Sequence, residues 1–426
     1  MVSESNAMGV DQPTRWTGGQ FSVLRILIGA TLAIHFARSI PFIEQALHGV
    51  APSFDDMDGL AWADRFRNGT LDGEHVLGTI PLLFGTVIAI LFALGLRVRV
   101  AAAALIALLI WESSVHPSIS NPSVGTLGLL VLYCAFQAPA PIGSWAARGR
   151  PDPAGGWREV RWCWNLLWIG YWIGGASQVW ALLWSFDWPW GTTLRYVFQS
   201  PFSRSNALNS WLVELPDLFW QVVTALVILL WCGALVAALS RRTRAYAWLA
   251  LLGLNLFMFL GIDLTERSIA SLLFLLAMFD PTWLAPKSTS RPTWVFYDGD
   301  CGLCHRLVRL ILAEDQSGNA FRFAPLRSQA FESRVSESER ANLPDSVAVL
   351  DASGTLSVRS AAVLQILDGL GGLWRMGALC LRVVPRPLAD FGYDQVAHVR
   401  KKLFAQPKVA CPLIPPGLAS RFELDS

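Results

Sequence analysis

The stretch "VFYDGDCGLCHRLVRLIL" (Val295–Leu312) sets Cys301 and Cys304 between a β-like apolar run and a helical one. Leu303, Leu307, Leu310 and Ile311 recur at helical spacing on one face. Two cysteines one helical turn apart bring their side chains within disulfide reach. Cys301 then stands at the helix start, where unpaired backbone amides and the macrodipole favour an anion. His305 and Arg306 add positive charge nearby. Cys301 is therefore the candidate nucleophile and Cys304 the candidate resolving thiol. Two other readings compete. Zinc wants four ligands, usually as two spaced pairs, and here His305, Cys380, His398 and Cys411 would complete a set only through long-range folding. Inert packing of the two thiols is the third reading.

Downstream, "FRFAPL" and "SVAVLD" read as further strands, "DASG" as a turn into a short strand "TLSVRS", and Ala361–Leu370 as a helix. Strand, CxxC, helix, strand, hairpin and helix is the order of a small α/β thioredoxin-like fold, in which a CxxC is a redox signal. Pro344 precedes "SVAVLD", where such folds place a cis-proline opposite the CxxC, and an ordinary turn proline suits the same position. Cys411, in "VACPLIPP", is a candidate third thiol. The run from "YDGDCGLCHRLV" through "FRFAPLRS", "VRSAAVLQILDGLGGLW" and "RVVPRPLADFGYDQVAHVRKKLF" to "ACPLIPP" resembles the DCC family of thiol-disulfide oxidoreductases over about residues 292–416. That resemblance implies a thioredoxin-like redox domain with Asp298, Cys301 and Cys304 at its site.

What precedes this region has a different solvent. The 426 residues are 53% hydrophobic and only 15% charged, against about 25% charged in an ordinary soluble chain. Of the 20 tryptophans, 18 lie before Ala285. Windows near 21–43, 76–96, 98–115, 124–140, 162–184, 217–239, 245–262 and 267–284 fit the roughly 20 apolar residues of a membrane span. The reading is a multi-pass α-helical bundle of about eight helices. The polar first twenty residues lack the layout of a secretory signal. With eight spans, short-loop Lys and Arg fall twelve to one side and six to the other, which places both termini in the cytoplasm and the protein in the cytoplasmic membrane. The expected layout is an N-terminal segment 1–20, a transmembrane domain 21–285, a linker 286–292, the α/β domain 293–416 and a tail 417–426. A net charge of +2 gives no electrostatic reason to expect a nucleic-acid partner. Membrane lipids and a thiol reductant or substrate protein are the expected partners.

Polar groups at membrane depth are costly, which makes each a candidate site. Glu112 and His116 stand four apart in "WESSVHP", Gln178 sits mid-span, Asp263 and Glu266 lie between the last two spans, and Arg25 and His35 lie in the first. The run from Trp162 to Trp190 reads either as an interfacial aromatic belt or as an aromatic-lined cavity for a lipid or quinone. "LGLRVRVAA" (Leu94–Ala102), "NPSVGTLGLLVLY" (Asn121–Tyr133) and "YWIGGASQVWALLWSFDWPWGTTLRYV" (Tyr171–Val197) resemble the HTTM family, the membrane domain shared with vitamin K-dependent gamma-carboxylases. The carboxylases' lysine base is replaced here by Ser177 or Gln178, no lysine precedes Lys287, and Pro122 stands about where they carry a histidine. A neutral amide cannot deprotonate a hydroquinone, so the resemblance implies the fold without the carboxylation chemistry. The expected function is a membrane-tethered dithiol oxidoreductase. Its alternatives are a membrane-domain enzyme modifying a lipid, quinone or peptide with the thiol domain as electron donor, and a redox-gated transporter or scaffold.

Overall fold

The computed structural model describes residues 16–40, 73–115, 123–184, 192–200, 203–263, 265–287, 291–403 and 416–423. The chain divides into two compact units. One comprises residues 23–137 and 160–279; the other comprises 1–22, 138–159 and 280–426.

The first unit is helical: α1 (Gly18–Ser39, which begins in the second unit), α2 (Gly73–Ala93), α3 (Val98–Val115), α4 (Ser123–Phe136), α5 (Arg161–Trp184), α6 (Thr192–Gln199), α7 (Ala207–Val213), α8 (Asp217–Leu239), α9 (Arg244–Gly261) and α10 (Thr265–Met278). Four of these, α1, α5, α8 and α9, are long and apolar enough to cross a membrane, consistent with a membrane protein. Gly78–Ala93 and Ser123–Phe136 are shorter apolar helices. Large apolar side chains such as Ile173, Leu226 and Val236 are exposed, consistent with helices that are apolar all round. Neighbouring helices pack in sequence, α2 on α3, α3 on α4, α8 on α9 and α9 on α10, while α10 returns against α4 and α8 against α5. Gly175 lets α8 approach α5 closely, because a Cβ there would stand 2.8 Å from Leu235. The tryptophan run divides between two environments. Trp164, Trp168 and Tyr171 are buried in a ring cluster, whereas Trp162, Trp180 and Trp184 are exposed. Trp188 and Trp190 lie outside the described residues.

The second unit is built on a four-stranded mixed sheet, β1 (Thr293–Tyr297), β2 (Phe321–Pro325), β3 (Ala348–Leu350) and β4 (Leu356–Val358), in the order β2-β1-β3-β4. β1 runs parallel to β2 and antiparallel to β3, and β3 is antiparallel to β4. The apolar run of β1 is buried on both faces, as a central strand must be. Val295 and Tyr297 join one core with Cys301, Cys304, Val308 and Ile311, and Phe296 joins another with Ala324, Phe331 and Ala348. Helices α11 (Gly302–Glu314), α12 (Gln329–Arg334), α13 (Glu337–Ala341), α14 (Arg359–Leu370), α15 (Gly372–Leu381) and α16 (Arg386–Leu403) complete the unit.

Two segments distant in sequence are drawn into it. Thr17 Oγ1, Gly19 N–H and Trp374 Nε1–H all donate to the buried Glu314 carboxylate at the end of α11, the latter two at 2.7 and 2.6 Å. Glycine at position 19 lets the carboxylate come this close, since a Cβ would fall 2.6 Å from a Glu314 oxygen and displace it. Trp157 stacks on Phe21 at 5.3 Å between ring centroids. Within the expected tail, 417–426, Phe422 joins the core with Leu418 packed against it. Phe422 stacks on Phe323, Glu423 N–H donates to Phe323 O at 3.0 Å, and Arg421 forms a buried ion pair with Asp315 at 2.6 Å. These contacts cover the outer edge of β2 and give the buried Asp315 carboxylate a cation.

Candidate functional site: a dithiol at a helix N-terminus

Cys301 is the N-cap of α11. Its backbone is extended (φ −101°, ψ 113°), and its sulfur accepts the Cys304 N–H at 3.4 Å. The loop before it is shaped by Asp298, whose carboxylate accepts Asp300 N–H at 3.0 Å and whose carbonyl accepts Cys301 N–H at 3.3 Å. Both sulfurs belong to buried residues and are close enough to share a hydrogen bond. Burial, then the hydrogen bond and charge of Cys301, push the Cys304 thiol from 9.0 up to about 12; Arg400 and the Asp298 backbone pull the other way. The two cysteines are thus in different electrostatic situations. Cys301 faces the partial positive charge of a helix start, and Cys304 is held as a neutral thiol.

His305 and Arg306, the expected neighbours of the dithiol, differ in exposure. His305 is buried, with Nε2 2.8 Å from Gly299 O and its ring edge against Tyr297, so it holds the loop in place. Arg306 is exposed. The cation that acts on both sulfurs is Arg400 of α16, almost wholly buried and paired with Asp345. Sequence reasoning missed it together with Tyr393, whose hydroxyl accepts Val347 N–H at 3.1 Å. The signal was present: Tyr393 and Arg400 are seven apart, on one face of α16. Pro344 is not a cis-proline, because every peptide bond among the described residues is trans. It sits in an ordinary turn, its carbonyl accepting Ser346 N–H at 2.7 Å, and Val347 is the residue that reaches the cysteines' side of the sheet. Cys411 lies outside the described residues.

Beside Cys304 an apolar groove of about 480 Å³ opens between α11 and α16, walled by Leu303, Leu307, Val347, Val363, Tyr393 and Val396. Arg400 supplies its polar corner. The arrangement can therefore place an apolar group within reach of a dithiol.

Residues 295–406 match the DCC1-like thiol-disulfide oxidoreductase family. A chloroplastic DCC family protein of Arabidopsis thaliana is 31% identical over 120 residues, which cover 28% of this chain and 69% of the relative. The chain belongs to the DCC family. No solved structure shows a significant match. The DCC match includes Asp298, Cys301, Cys304 and Arg400 and stops short of the Phe422 and Arg421 contacts that close the sheet edge.

The polar residues singled out in the helical unit meet different fates. Glu112 and Glu266 converge on His35. Asp263 is exposed and paired with Arg204 at 3.2 Å, and Gln178 faces outward. His116 lies outside the described residues.

Proposed function

We propose that this protein is a thiol-disulfide oxidoreductase in which Cys301 attacks a substrate disulfide and Cys304 resolves the intermediate. The observation that carries the reading is the asymmetry of the pair: Cys301 caps a helix N-terminus, and Cys304 beside it is held protonated. The strand order, with β3 antiparallel to its neighbours and the dithiol at the start of the helix after β1, supports a thioredoxin-like fold. In the forward step the Cys301 thiolate bonds to one substrate sulfur and the other leaves as a thiolate. Capping Cys301 removes its share of the hydrogen-bond and charge effects that hold Cys304 protonated, while Arg400 and the Asp298 amide still favour its anion. Cys304 then loses its proton to the departing thiolate and displaces the second one. The substrate gains two electrons and the domain becomes the Cys301–Cys304 disulfide, which a thiol reductant restores. The groove beside Cys304 favours a substrate with an apolar flank.

The helical unit is the membrane tether in this reading: an HTTM-like bundle in the cytoplasmic membrane, both termini in the cytoplasm, offering a hydrophobic site to a lipid, quinone or peptide. A cytoplasmic location makes reduction the physiological direction. The test is turnover of a model protein disulfide by the full chain with dithiothreitol as reductant, read against Cys301→Ser. The reading predicts loss of the protein-dependent rate; a variant that retains it refutes the assignment.

A further inference from the structure

The thiol chemistry leaves unused a cluster of three ionisable side chains inside the helical unit. His35 of α1 has a carboxylate at each ring nitrogen. Nε2 lies 2.7 Å from Glu112 Oε2 of α3, and Nδ1 is hydrogen-bonded to Glu266 Oε1 of α10. Ser39 Oγ donates to the other Glu112 oxygen at 3.0 Å, and Ser123 Oγ of α4 lies 3.4 Å from Glu266 Oε1. The side chains of His35 and Glu112 are 4% and 2% exposed, that of Glu266 28%. The cluster therefore has a closed end at Glu112 and an open end at Glu266.

No other described titratable group joins it. Residues 78–93 of α2 contain none, and Arg38 and Arg267 on the participating helices are exposed. Arg25, further along α1, donates to Ala93 O. In α4, Tyr133 and Cys134 lie about three turns from Ser123.

An imidazole bonded to a carboxylate at both nitrogens is satisfied in more than one way. As imidazolium it donates twice, leaving the cluster at −1. With the same number of protons, a neutral ring can donate to one carboxylate and accept from the other, now protonated. The proton changes owner while the heavy atoms keep their contacts. Histidine is the side chain suited to such a shuttle, and intramembrane ionisable groups commonly mark proton paths.

We propose that Glu266, His35 and Glu112 form a proton relay that loads and unloads the buried Glu112 carboxylate from the exposed end. A proton from water arrives at Glu266, passes to Nδ1 as Nε2–H passes to Glu112, and a tautomer exchange resets the ring. One proton moves and no electron does.

The test is infrared spectroscopy of the full chain in lipid nanodiscs after a jump from about pH 9 to about pH 5. The expected result is a protonated-carboxyl band that rises in the wild type, is absent in Glu112→Gln, and rises about 100-fold more slowly in Glu266→Gln and in His35→Gln. The wild-type rise also slows in deuterium oxide. A helix tie with no relay function gives either no Glu112 band at any pH or a rise indifferent to Glu266 and His35, and either result overturns the proposal. Because Glu266→Gln preserves shape, and the isotope effect is read on the wild type, a variant that misfolds does not shelter the claim.

Discussion

Cys304 should be a slow thiol, and by a calculable margin. Its rise from 9.0 to about 12 lowers the thiolate fraction about 1000-fold at pH 8, and the thiolate is the species that alkylates. The clean perturbation is Cys301→Ser in the full chain, which removes the competing thiol and leaves the burial, the largest cause of the shift, in place. Part of the shift comes from Cys301 itself, so the expected deficit is about 100-fold or more relative to an unhindered thiol. Cys380 is exposed and serves as the reference in the same molecule. The assay is iodoacetamide labelling, quenched over time, with the Cys304 and Cys380 peptides quantified by mass spectrometry. The Cys304 rate should also climb about ten-fold per pH unit through pH 10 without levelling. A Cys304 rate within ten-fold of Cys380, or one that levels below pH 9, refutes the claim that burial holds this thiol neutral.

Two further outcomes follow from the contacts that close the second unit. Arg421→Ala strands the Asp315 carboxylate in a site where both side chains are under 5% exposed, at a cost of about 3–5 kcal/mol. Amide exchange in β2 should accelerate in proportion, and unchanged exchange would contradict the role given to that ion pair. Glu314→Gln replaces one acceptor oxygen by an NH2 facing donors, costing about 1–3 kcal/mol. Burial raises the Glu314 pKa, against the opposing hydrogen bonds of Thr17, Trp374 and Gly19. A raised folded pKa means stability that is present below the ordinary carboxyl range and is lost as pH rises through the folded value. Melting temperatures from about pH 4 to about pH 7 should therefore decline in the wild type and lose that component of slope in Glu314→Gln; equal slopes would rule the linkage out.

The parts of this structure legible in the sequence are those set by local pattern. The four strands and the CxxC helix rest on short apolar runs and i, i+4 spacing, and all appear where those patterns put them. Glu112 and Glu266 stood out because charge is expensive among apolar helices, but their meeting at His35 spans 77 and 231 residues and has no local trace. His305 misled for the opposite reason. Adjacency to Cys304 looked like electrostatic support, and the helix turned its ring toward Gly299 and Tyr297 instead. Arg400 lay in a run with Lys401 and Lys402 that reads as a solvated basic end, and only the packing of α16 on α11 shows it facing the sulfurs. Glu314 resembled any helix-terminal glutamate, since donors to it come from distant Thr17, Gly19 and Trp374.

The central claim is that Cys301 bonds to substrate and Cys304 releases it. It is tested most directly by mixing reduced full-length Cys304→Ser with a disulfide-containing protein, quenching in acid, and mapping the crosslinked peptides by mass spectrometry. The account predicts a stable mixed disulfide through Cys301, absent in Cys301→Ser and transient in the wild type. A crosslink through Cys304 in the Cys301→Ser variant, with none through Cys301 in Cys304→Ser, would contradict it.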